Sequence, residues 1–123
     1  MSIRRAVPIL SVADVPAAVA EYREILDVEV LMDHGWIATL GSPAAAKTVP
    51  APQFSVMSRD ATAPCNPELS LELDDPAAVD AAHARAVAAG AEIVHPPTVE
   101  PWGVRRFFYR DVGGHVVNVL AHL

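Results

Sequence analysis

Leu69, Leu71 and Leu73 alternate with Glu68, Ser70 and Glu72, the two-residue period of a strand with one apolar and one polar face. That strand, 68–74, opens the second half of the chain. Asp75 follows as a helix cap with Pro76 at the first helical position, and the helix runs to Ala89, where Gly90 supplies the stop. AEIVHPP (91–97) is predicted as a strand that ends at its two prolines. VRRFFYR (104–110) and HVVNVLA (115–121) are predicted as strands around the turn Asp111-Val112-Gly113-Gly114. The first half has the same order. RRAVPILSV (4–12) reads as a strand, and Asp14 caps a helix that carries Pro16 in its first turn. Val15, Val19, Tyr22 and Leu26 form one stripe of that helix, which ends near Asp27. VEVLMD (28–33) and WIATLG (36–41) make a hairpin about His34-Gly35, and QFSVMS (53–58) is a further strand. SPAAAKTVP (42–50) is read as a mobile loop, and RDATAPCNP (59–67), with two prolines and no periodicity, as a linker. Each half is thus strand, helix, three strands. The sequences of the halves match weakly, but the order of elements repeats.

A length of 123 residues suits one domain, and 52% hydrophobic against 20% charged residues supplies a core and argues against disorder. A net charge of -6 without any basic run disfavours nucleic acid and anionic membranes as partners. The single Cys65 excludes an internal disulfide and a multi-cysteine zinc module, and fits a reducing compartment. The start, MSIRRAVPILSVAD, has too short an apolar run for a signal peptide, and no stretch is long enough to span a bilayer. The expectation is a cytoplasmic protein. The chain contains no GxSxG, P-loop or GxGxxG pattern, so none of those chemistries is indicated.

Three stretches resemble the vicinal oxygen chelate superfamily of glyoxalase I, bleomycin-resistance proteins and extradiol dioxygenases. They are VPILSVADVPAAVAEYREILDVEV (7–30), LELDDPAAVDAAHARAVAAGAEIVHPP (71–97) and PWGVRRFFYRDVGGHVVNV (101–119). Two departures stand out: Asp27 where glycine is usual, and Val112-Gly113 in place of Pro-Asp. The resemblance implies an α+β fold of two βαβββ modules, 1–58 and 68–123 around the linker 59–67. Their eight strands would curve into an open cradle with the helices outside. On that fold Leu69, Leu71 and Leu73, with Val117 and Val119, face the helices. Glu68, Ser70 and Glu72, with Val116, Asn118 and Leu120, face the cradle. A four-residue turn at 111–114 would set Arg105, Phe107 and Tyr109 opposite 120, 118 and 116, on the cradle face. The resemblance also implies a homodimer, since the open edges of such a cradle call for a cover.

The superfamily's metalloenzymes hold a divalent ion with one His or Glu from each of four strands. Those positions fall here on Val7, on Ser55 or Met57, on Glu68 and on Asn118. Valine cannot ligate, and one carboxylate with one amide does not hold a catalytic ion tightly. The resemblance therefore implies the fold without a metal, a cofactor or a catalytic residue. His34, His83, His95, His115 and His122 show no HxH or HxxxH spacing and are read as surface or edge histidines. Cys65 has no local base or positive neighbour and is read as an inert thiol. Glu68 and Glu72 are either the floor of a cationic site, an acid/base pair, or edge carboxylates in water, and Arg105 and Arg106 pair with them or are solvated. Trp36, Phe54, Trp102, Phe107 and Tyr109 are five of the seven aromatics. An aromatic-walled cavity with a few acids suits a planar, cationic ligand. The expected function is metal-independent binding of a drug or metabolite, as in bleomycin (antibiotic) resistance. The ligand set expected is Trp102, Phe107, Tyr109, Arg105, Glu68, Glu72, Asn118, Trp36 and Phe54. The alternative is a metal-dependent lyase, isomerase or dioxygenase with a displaced ligand set.

Overall fold

Asp14 and Asp75 start the two helices as their position before Pro16 and Pro76 predicts. In the computed structural model, which describes residues 2–42 and 52–123, Asp14 Oδ1 accepts the Ala17 amide at 3.0 Å, ahead of α1 (Val15–Leu26). Asp75 Oδ1 accepts the Ala78 amide at 2.8 Å, ahead of α2 (Pro76–Ala88). Apart from Ser42, the loop expected at 42–50 lies outside the described residues. The strands are β1 (Ile3–Ser11), β2 (Glu29–Asp33), β3 (Ile37–Gly41), β4 (Gln53–Met57), β5 (Leu69–Leu73), β6 (Glu92–Glu100), β7 (Val104–Arg110) and β8 (Val116–His122). This is the α+β class of two βαβββ modules. Among the described residues no helix is long and apolar enough to cross a membrane.

The chain divides into two compact units, one of Val7–Asn66 and one of Pro67–Leu123 with the residues up to Ala6. The first carries the strand order β2-β3-β4-β1, the second β5-β8-β7-β6. Each module's first and last strands run parallel, with Ile9 beside Ser55 in one and Ser70 beside Asn118 in the other. Its remaining pairs are antiparallel. The internal repeat is therefore one of topology.

Period two decides which side chains meet the helix. In the first unit Val15, Ala38 and Val56 form the core with Val19, Tyr22 and Phe54 packed on it. Leu26, the last residue of the expected helical stripe, is 58% exposed instead. In the second unit Leu73, Val79, Phe107, Val117, Val119 and Ala121 form the core beneath α2.

Two segments differ from the sequence expectation. The prolines at 96 and 97 do not end β6, which continues to Glu100. β6 is the outermost strand of its module, bonded among the described strands only to β7, and its register shifts at Ile93/His95 and His95/Thr98 absorb the missing amides. The segment 59–67 is no loose linker, and through Asn66 it belongs to the first unit. Asp60 is buried; its amide donates to Asn66 Oδ1 at 2.8 Å, and its Oδ1 accepts the Thr62 amide at 3.0 Å. Asn66 Nδ2 donates to Ser58 O and to Ser11 Oγ, both at 3.1 Å. Such mutual hydrogen bonds leave no hydrophobic period to read.

Asp27 ends α1 in the left-handed region with φ 53°. That conformation costs a side chain with a Cβ roughly 1–2 kcal/mol, offset in part by glycine's greater chain entropy, worth about 0.5–1 kcal/mol. Asp27→Gly should therefore raise stability by about 0.5 kcal/mol, and Asp27→Val should lower it by about 1 kcal/mol. Urea midpoints of the two variants check both signs.

Candidate functional site

The turn between β7 and β8 sets which side chains share a face in the second unit. It closes on Asp111 and His115: the Asp111 amide donates to His115 O at 2.9 Å. The His115 amide donates back to Asp111 Oδ1 at 2.8 Å. That amide, with the His115 ring 3.1 Å away, holds the Asp111 carboxyl below the usual carboxylate range. Arg110 consequently pairs with Val116, Tyr109 with Val117 and Phe107 with Val119. This is one residue away from the expected register, and a one-residue slip carries every side chain to the other face. Phe107 and Tyr109 therefore lie against α2, with Phe107 only 1% exposed. Arg105 faces α2 as well, with Nε 2.9 Å from Asp80 Oδ1. These three residues are not on the face to which the sequence assigned them. Phe54 is misplaced for the same reason of parity: it alternates with Ser55 and packs edge-on against Tyr22 of α1 at 4.9 Å.

The face opposite α2 carries other residues. Val116, Asn118 and Leu120 of β8 occupy it as expected, beside Ser70, with Phe108 opposite Asn118 and Arg106 opposite Leu120. Asn118 is 7% exposed; its Nδ2 donates to Ser70 Oγ at 3.0 Å, and its buried Oδ1 has no partner among the described residues. Arg106 is 4% exposed and lies between two rings, its Cζ 4.9 Å from the Trp102 centroid and 4.8 Å from that of Phe108. Its Nε donates to Glu100 Oε1 at 3.3 Å, and His95 Nε2 lies 3.1 Å from the same oxygen. His95 also meets Phe108 edge-on at 5.2 Å. Trp102, between β6 and β7, is 44% exposed. Glu72 takes the Arg5 guanidinium at 3.0 Å, with His122 Nε2 at 3.7 Å. Glu68 is exposed just before β5. Trp36, in the first unit, is half-buried, and its carbonyl accepts the Ser58 amide at 2.9 Å.

The structure thus brings Trp102 onto one side of a sheet with Asn118, and Phe107, Tyr109 and Arg105 onto the other. Glu100 and Phe108 were not among the sequence candidates; Ser70 was expected on this face, whereas His95, read as a surface or edge histidine, and Arg106, read as solvated or paired with Glu68 and Glu72, are buried and meet at Glu100. Their signal was present: Arg106 and Phe108 alternate with Arg105, Phe107 and Tyr109, so one correct turn length selects them. Glu100 lay beyond a strand taken to end at proline.

The donor set does not fit a resident divalent ion. Val7 offers no donor, and Ser55 Oγ is engaged with Thr39 Oγ1 at 2.8 Å. The strand neighbour of Asn118 is Ser70, not Glu68. Among the described residues no group of three or more His, Cys, Asp or Glu is placed to hold a metal.

A model of the Glyoxalase/Bleomycin resistance protein/Dioxygenase superfamily matches residues 3–119. No curated protein matches the chain in sequence. Among solved structures, an NAD-dependent benzaldehyde dehydrogenase from Legionella pneumophila is 16% identical, with a TM-score of 0.79 over 97% of this chain and 100% of that one. The methylmalonyl-CoA epimerase from Mycobacterium tuberculosis is 18% identical, with a TM-score of 0.69 over 98% of this chain and 89% of that one. The methylmalonyl-CoA epimerase of Streptomyces coelicolor is 17% identical, with a TM-score of 0.68 over 98% and 99%. At these identities the likeness is one of fold.

Proposed function

The chain belongs to the glyoxalase/bleomycin resistance protein/dioxygenase superfamily, and on that premise we propose that it is a small-molecule binding protein that works by sequestration, without a resident metal ion. The observation that carries this reading is Asn118. An amide stands where the superfamily's metalloenzymes place a carboxylate or imidazole, and its buried Oδ1 lacks a partner among the described residues. A buried acceptor left unpaired costs about 1–3 kcal/mol. A ligand N–H or O–H delivered to that oxygen removes the cost. Ser70 beside it retains a hydroxyl hydrogen to donate, so the pair suits a ligand group with a donor and an acceptor side by side.

Trp102 supplies the flat surface. One neighbour of its ring is the Arg106 guanidinium, yet the indole remains substantially exposed. A planar drug or metabolite stacks on it, as the bleomycin-resistance type of binding requires. Because Arg106 already lies between Trp102 and Phe108, the ligand's charge is a weaker criterion than its flatness.

The test joins metal analysis to titration. The purified protein should contain far less than one zinc, iron, nickel or manganese ion per chain. Bleomycin and other planar compounds, titrated against tryptophan fluorescence, should reveal saturable binding that Trp102→Ala weakens about tenfold, the effect of losing one stacked ring and its buried area. The same variant should lose only about 1 kcal/mol of stability, the scale of an exposed cation–π contact. One tightly held ion per chain would instead favour a metal-dependent lyase, isomerase or dioxygenase of the superfamily. Unchanged affinity in Trp102→Ala would remove the stacking surface from the reading.

A further inference from the structure

The helix face of the second unit is not filled. Beside the buried Val79, the side chains that α2 packs against this core are Ala78, Ala82 and Ala86, and small side chains leave space beneath them. Under the C-terminal half of α2 this space is a cavity of about 360 Å³. Leu71, Phe107, Tyr109 and Val119 line its sheet side, and Ala86 and Arg85 its helix side. That volume is at the small end of the range used by ligand pockets, roughly 300–1,000 Å³. Its walls are almost wholly apolar, with two exceptions. The Arg85 side chain makes no ion pair and the Tyr109 hydroxyl no hydrogen bond among the described residues. The neighbouring charges at this end are otherwise spoken for: Arg110 Nε donates to Glu92 at 2.9 Å, and Asp111 is bonded to His115. An uncommitted cation and a hydroxyl beside an apolar hollow match an amphiphilic anion, with its head on the guanidinium and its body over Leu71 and Phe107.

We infer that this cavity is a second ligand site, on the opposite face of the sheet from Asn118, and that it takes a small monocarboxylic acid with a compact apolar body. The inference is independent of the binding role proposed for Asn118 and Trp102. An amine of the same shape would place its charge against Arg85 and be rejected.

Sodium octanoate is the probe, with octylamine as its cationic counterpart. Titrated into the isotopically labelled protein, octanoate should produce saturable amide shifts centred on Ala86, Ala89 and Tyr109. Arg85→Ala should weaken that binding about tenfold, as expected for loss of a charge-assisted hydrogen bond. Arg85 is exposed, so the variant should fold normally, which a thermal melt checks. Tyr109→Phe, which keeps the ring and removes only the hydroxyl, should weaken binding by a smaller factor. Octylamine should give no saturable shifts at these residues. Shifts scattered over the surface, equal binding of octylamine, or full affinity in Arg85→Ala would each overturn the assignment.

Discussion

Phe107→Ala should cost about 3–5 kcal/mol of folding stability, the range for emptying a buried aromatic site. The ring is almost wholly buried in the cluster of Leu73, Val79, Val117, Val119 and Ala121. It meets the His83 ring of α2 edge-on at 5.2 Å and lies 6.1 Å from the Tyr109 ring. Its loss opens the core directly beneath the helix. The cavity of about 360 Å³ that Phe107 already borders would grow instead of closing, because Ala82 and Ala86, which line it from the helix, are too short to refill it. A domain of this size is stable by about 5–15 kcal/mol, so the variant would sit near its folding threshold. Urea denaturation should show the midpoint falling with little change in slope. A loss under about 1 kcal/mol would contradict the packing described and return Phe107 to the ligand wall that its sequence position suggested.

That contrast marks where sequence reasoning holds and where it stops. The faces of β5 and β8 were legible because Leu71, Leu73, Val117 and Val119 repeat every second residue and one face must be buried. Both helix starts were legible because an Asp cap before a proline has a local cause. The face of β7 was not. VRRFFYR is apolar or amphipathic on both sides, so its own pattern selects neither. The choice fell to a turn, and the turn fell to hydrogen bonds between Asp111 and His115. Phe54 is a comparable case, since QFSVM offers an apolar residue to either side of β4. The site suffers most from this ambiguity. Trp102 and Asn118 could be found singly, but the buried charges beside them required knowing that β6 passes through two prolines and reaches Glu100.

Glu100→Ala should be the other severe substitution, at about 3–5 kcal/mol, the cost of removing one partner from a buried ion pair. Glu100 is 5% exposed, and one of its oxygens takes both Arg106 Nε and His95 Nε2. Without it the Arg106 guanidinium loses the carboxylate that its Nε reaches, and the rings of Trp102 and Phe108, worth roughly 0.5–2 kcal/mol, do not replace that charge. Replacing both members separates the cost of a broken pair from the worth of an intact one. Glu100→Leu with Arg106→Met removes both charges at similar volume and should recover most of the loss, since buried pairs often break even against apolar replacements. Urea melts of the wild type, the two single variants and the double variant give the coupling directly, expected at about 2–3 kcal/mol for groups in contact. The double variant should nevertheless bind planar ligands less tightly than wild type, because the Arg106 guanidinium lies against the Trp102 ring. Additive single-variant losses would show that the carboxylate and the guanidinium are held independently. A double variant as stable as wild type with undiminished ligand affinity would show that Trp102 keeps its orientation without them.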